Sequence, residues 1–83
     1  MEFRALLEAF RGRLSDDVLD VCQDFYNHGE PALAVETLND WLFEDDIAIS
    51  LDEYLALTHL ARVMGCELKR FSRTWELIVD DKR

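Results

Sequence analysis

The residues able to do acid–base, nucleophilic or metal chemistry in this chain stand apart from one another. There are two histidines and two cysteines, against 18 carboxylates. An active site needs such groups to converge. His28 stands beside Gly29 at the end of an expected helix, where an imidazole caps the last carbonyls. His59 falls on a helical pattern with no Cys, Ser or carboxylate placed beside it. Cys22 and Cys66 are isolated thiols, expected as small buried hydrophobes in a reducing cytosol. Two such thiols without a nearby His make no zinc site. The carboxylates lie on faces expected to be solvated, where nothing raises one pKa for proton transfer.

Phosphate and carrier chemistry find no better footing. No Gly-rich phosphate loop is present. Glu44–Ile49 lacks the spaced ligands, the Gly and the closing Glu of a calcium loop. An acyl carrier needs a Ser after Asp at a helix start. Here Ser15 follows Leu14 and Ser50 follows Ile49. The expectation is therefore a non-enzyme with no cofactor and no metal.

What remains is charge. The net charge is −9 over 83 residues. Between Arg13 and Arg62 lie 48 residues with no Lys or Arg and 12 acids: Asp16, Asp17, Asp20, Asp24, Glu30, Glu36, Asp40, Glu44, Asp45, Asp46, Asp52 and Glu53. The remainder carries 9 basic and 6 acidic residues. Direct nucleic-acid binding is disfavoured, because phosphate neutralisation supplies most of that affinity. A basic protein partner is favoured.

The elements that position these charges follow from apolar spacing. Phe3, Leu6, Leu7 and Phe10 mark a first helix, with Gly12 ending it. Ser15 caps a second, with Asp16 and Asp17 in its first turn. Its inner face is expected to be Val18, Val21, Cys22 and Phe25, with Leu19 and Tyr26 at the edges. Asp16, Asp20 and Asp24 climb the far side. Gly29-Glu30-Pro31 stops that helix and starts the next, from about Pro31 to Glu44. Ala34, Leu38, Trp41 and Leu42 share one side of it, and Glu36, Asp40 and Glu44 the other. Ile47 and Ile49 alternate in a short extended connection.

Ser50 and Glu53 form a capping box at the start of a fourth helix. Leu51, Tyr54, Leu55, Thr58 and Ala61 make its stripe, widened by Leu57, Leu60 and Met64, and Gly65 ends it. So wide a stripe predicts a central helix packed on more than one side. Leu68, Phe71, Trp75 and Ile78 mark a fifth helical stripe, and Asp80 to Arg83 a frayed tail. The expected fold is a single all-α domain, a compact bundle of four to five short helices. No run of about 18 apolar residues and no secretion-signal layout is present, so the expected location is the cytoplasm, away from membranes.

The stretch Tyr26–Ser50 carries a resemblance. Tyr26, His28-Gly29-Glu30-Pro31, Leu33-Ala34, Glu36 and Leu38 are followed by Asp40-Trp41-Leu42-Phe43-Glu44-Asp45-Asp46-Ile47, Ile49-Ser50 and Glu53-Tyr54. The series continues in Leu60-Ala61, Met64-Gly65 and Trp75. This order resembles the MafI family of bacterial immunity proteins, small proteins encoded beside polymorphic toxins. It covers about Leu14 to Val79. Asn39 departs from an expected Cys, and Phe43 from a common Tyr. The resemblance implies an immunity protein that binds its cognate toxin domain and blocks it by stoichiometric occlusion. The toxin would be a nuclease, or nearly as well an ADP-ribosyltransferase. An acidic helical adaptor that binds a basic protein is the alternative, and an acyl-carrier-like role comes third.

The expected partner-binding residues are the acids Asp20, Asp24, Glu36, Asp40, Glu44, Asp45 and Asp46, with Phe43 and Tyr54 as aromatic anchors. Trp41 and Trp75, on apolar stripes, are expected in the core. The two acid ladders are expected to merge into one negative surface on adjacent helices.

Overall fold

The computed structural model of the protein describes residues 2–79, so the expected tail at Asp80 to Arg83 lies outside the described residues. Four α-helices follow in order: α1 (Phe3–Ala9), α2 (Asp16–Asn27), α3 (Pro31–Glu44) and α4 (Leu51–Val63). Two 3-10 turns, Leu68–Phe71 and Thr74–Leu77, close the chain. Among the described residues there is no β-strand, and the fold is the expected small all-α bundle. A parallel bridge joins Ile49 to Ile78. Its bonds run from the Ile49 N–H to the Leu77 carbonyl (3.0 Å) and from the Val79 N–H to the Ile49 carbonyl (2.9 Å).

The helix ends lie where local chemistry places them. Ser15 Oγ accepts from the Val18 N–H. Ser50 Oγ accepts from the Glu53 N–H at 3.1 Å, and Glu53 Oε1 accepts from the Ser50 N–H at 2.9 Å, completing the capping box. α2 and α4 end in the same motif. The residue after the cap is a left-handed Gly, Gly29 at φ 80° and Gly65 at φ 78°. The next N–H then reaches back to the last turn, Glu30 to Phe25 and Cys66 to Ala61, both at 2.9 Å. α3 ends identically, with Ile47 reaching Leu42, but its left-handed residue is Asp46 at φ 52°. Asp tolerates that region better than most residues with a Cβ. α1 stops at Ala9, and Gly12 shapes the turn beyond it rather than the cap.

One apolar core unites the elements. Phe3, Leu6, Leu7 and Phe10 meet Leu19 and Cys22 of α2, Val35, Leu38 and Leu42 of α3, and Leu57 and Ala61 of α4. Each fully buried Leu, Val or Phe contributes about 1.5–3 kcal/mol of transfer free energy. Three inner faces differ from the spacing-based expectation. On α2, Leu19 is buried and Val21 is 45% exposed. The inward arc is centred between Leu19 and Cys22, and at about 100° per residue it leaves Val21 outside. On α4, Leu51 and Leu55 are exposed while Ala56, Leu57, Leu60 and Ala61 are buried. α4 does pack against several neighbours: α1, α3 and the first 3-10 turn. Its apolar stripe is simply wider than the surface those neighbours cover. Neither tryptophan belongs to the core: Trp41 is 38% exposed and Trp75 58%.

The fifth stripe is not an α-helix. Its N–H groups bond three residues back, as Arg70 to Glu67 and Ile78 to Trp75. At three residues per turn, Phe71, Thr74 and Leu77 share a face, and these three are buried. Trp75, aligned with Phe71 only at α-helical pitch, points outward, and Leu68, at the start of the first turn, is exposed as well. Buried Asn39 of α3 fastens this segment. Its Nδ2 donates to the Arg70 carbonyl (3.2 Å) and its Oδ1 accepts from Thr74 Oγ1 (2.7 Å).

Candidate protein-binding groove

α2 and α3 pack as a hairpin across the tight turn at residues 28–30. A groove follows the outer face of α2 and opens onto α3 beside Trp41. At one end it is lined by Ser15, Asp17, Val18, Val21, Trp41 and Asp45. At the other it is lined by Val21, Asp24, Phe25, His28 and Glu30. The two recesses meet at Val21. Their floor is apolar and their rim acidic, and no Lys or Arg among the described residues lines either. His28 Nδ1 lies 2.7 Å from the Asp24 carbonyl, which can only accept, so the ring donates there. That contact is the C-terminal capping role expected for His28.

The acids expected to bind a partner are dispersed by the fold. Asp24 and Asp45 line the groove. Asp20 faces the cleft between α1 and α2, beside Arg4 and Arg11. Glu36 and Asp40 turn to the C-terminal segment, where Arg70 takes both, at 3.7 and 2.6 Å. The two ladders therefore do not merge into one free negative surface. Successive acids at i, i+4 drift around a helix of 3.6 residues per turn, and Arg70 neutralises the α3 pair. Glu44 and Asp46 are exposed. Phe43 lines a separate cleft with Lys69, Arg70 and Arg73. Tyr54, half-buried, lines another with Leu55, His59, Arg62 and Leu68.

Ion pairing sorts the acids further. Of the twelve in the basic-free stretch, four are paired: Asp16 with Arg11, Glu53 with Arg13, and Glu36 and Asp40 with Arg70. The other eight have no such partner among the described residues: Asp17, Asp20, Asp24, Glu30, Glu44, Asp45, Asp46 and Asp52. Most of these flank the α2–α3 seam or the turn after α3. Sequence spacing does not single out Asp17, Val21 or Trp41 as site residues: Asp17 reads as a first-turn acid of α2, and Val21 and Trp41 read as inward-facing. Centring the α2 arc on Leu19 and Cys22 would have placed Val21 outside.

Arg13 ties the end of α1 to the start of α4. Its guanidinium donates to the Ala9 and Ala48 carbonyls and to both Glu53 oxygens, and it lies 4.7 Å from the centre of the Phe10 ring. Burial works to raise the Glu53 pKa, but Arg13 and the Ser50 N–H outweigh it and hold the carboxyl below its ordinary value. Burial pushes the Cys22 thiol up to about 12, so it is a poor nucleophile at neutral pH. Among the described residues no group of three or more His, Cys, Asp or Glu is placed to hold a metal, and no helix is long and apolar enough to cross a membrane. Compared with family profiles, with curated proteins and with solved structures, the chain finds no match.

Proposed function

We propose that this protein is a stoichiometric inhibitor: it binds a cognate toxin domain with a basic surface and occludes it without chemistry of its own. The resemblance to the MafI immunity proteins supplies the toxin. The eight acids without ion-pair partners among the described residues supply the physical support. Acids already bonded to Arg inside the fold have little charge to offer a partner. These eight retain theirs, and four of them, Asp17, Asp24, Glu30 and Asp45, line the apolar groove. Such a surface speeds encounter with a basic domain and disfavours neutral or acidic ones. The inhibitor acts in the cytoplasm of the cell that makes the toxin, and it needs no cofactor.

The test is co-expression with the toxin domain encoded beside the gene. A 1:1 complex should co-purify, its association should slow as salt rises, and cells making the toxin should survive. Absence of both complex and protection would overturn the proposal. An acidic adaptor would instead bind a basic protein without rescuing any cell.

A further inference from the structure

We infer that the α2–α3 groove receives an amphipathic helix of the toxin domain, with Lys or Arg flanking an apolar ridge; this rests on the inhibitor reading above. The groove follows α2 from Asp17 to His28. Eleven steps at about 1.5 Å each span roughly 16 Å, or three helical turns. Val18 lies in one recess and Phe25 in the other, seven residues apart. Along α2 they stand about 10.5 Å apart, the rise between positions i and i+7 of a docked helix. An extended strand has no comparable seat, because the backbones of α2 and α3 are bonded within their own helices and offer no edge.

Charge selects among helices. Asp17, Asp24, Glu30 and Asp45 stand around the recesses with no ion-pair partner among the described residues. An acidic helix is repelled. A neutral one would strip water from these carboxylates without replacing it. A helix with cations on its flanks satisfies them and leaves its ridge for Val21 and Trp41. These two are 45% and 38% exposed, so covering them removes apolar surface from water. Trp41 is the anchor, since a desolvated tryptophan carries a large share of an interface's affinity.

Trp75→Phe leaves Trp41 as the sole tryptophan and hence a local probe. Three synthetic helical peptides are titrated against the full chain. The first has leucines at i, i+3, i+4 and i+7 with lysine flanks. The second keeps the leucines and carries glutamates. The third keeps the lysines and replaces leucine by serine. The first should shift Trp41 emission to the blue and shield it from a soluble quencher, and the other two should not. Asp24→Lys with Asp45→Lys, both at exposed positions, should weaken the first peptide at least tenfold. No shift, or an equal shift with the serine peptide, would refute a groove for an apolar ridge.

The toxin domain gives the second arm. Trp41→Ala and Val21→Ser should each weaken the complex at least tenfold, with melting temperature checking that the fold survives. If a complex forms with unchanged affinity in both, the docking site lies elsewhere and the inference fails while the inhibitor reading stands. If no complex forms at all, the inhibitor reading fails, and the peptide titration alone decides the groove.

Discussion

Asn39 has partners for both ends of its amide, and both come from a segment more than thirty residues away in sequence. Removing it leaves the Thr74 hydroxyl buried without a partner and takes the Asn39 donor from the half-buried Arg70 carbonyl. Asn39→Ala should therefore cost about 1–3 kcal/mol, read as a lower denaturation midpoint. It should also expose the C-terminal turns to protease before the helices unfold. A variant as stable as the parent would mean that water replaces the amide. Glu53 makes a second prediction at this scale. Its carboxyl is held below its ordinary value of 4.5 in the folded state. A depressed carboxyl stabilises the fold above its unfolded pKa, and that stability is lost as pH falls through the lower folded value. Stability should thus be flat from pH 7 to about 5 and decline below 4.5. Arg13→Ala should lower the plateau and make the acid limb shallower. Glu8 and Glu76, also depressed by Arg neighbours, are fully exposed and should add little. An unchanged acid limb in Arg13→Ala would assign that limb to other carboxylates.

Helix boundaries respond to single substitutions where side chain or backbone chemistry is specific. Ser50→Ala removes the acceptor for the Glu53 N–H and should cost about 1 kcal/mol. Gly65→Val should cost more than its surroundings imply. A Cβ there meets open space, so the penalty comes from φ 78° alone. For a residue with a Cβ, that left-handed conformation costs roughly 1–2 kcal/mol. Thermal melts of both variants check these values, and parent-like curves would mean that the α4 ends are held by packing instead. Asp46 is the informative counterpart, because it already occupies the left-handed position at the end of α3. Asp46→Gly should leave stability equal or slightly raised, while removing one of the free charges beside the groove.

For the molecule as a whole, charge and stability are separable. Asp24 and Asp45 touch the groove without ion pairs among the described residues, so reversing both to Lys should leave the melting temperature nearly unchanged. It should slow association with a basic partner and flatten its salt dependence. Asp40→Lys is the contrasting control. It breaks the Arg70 pair, which is exposed and worth about 0.2–1 kcal/mol, and it should slow association much less. Stopped-flow kinetics at two salt concentrations distinguish them. If Asp40→Lys slows binding as much as the groove pair does, the partner sits on the α3 ladder rather than in the seam.

Local signals in the sequence determined the elements. Ser15, Pro31 and the Ser50–Glu53 box begin helices because their side chains or ring act within one turn, and Gly29 and Gly65 end them through their own φ. Net acidity and its gap between Arg13 and Arg62 are properties of composition and order, so they too were legible. Orientation was not. A stripe as wide as that of α4 fits several rotations, and only the neighbours decide which edge is covered, leaving Leu51 and Leu55 outside. The pitch of the last segment was equally hidden, because its 3-10 turns answer to Asn39 on a distant helix. The acids differ for the same reason. Whether a carboxylate is free or bonded depends on which Arg the fold brings beside it. Arg70 comes to Glu36 and Asp40, and no Lys or Arg among the described residues forms an ion pair with Asp24 or Asp45. Tertiary packing alone set that difference, because it joins residues thirty or more positions apart.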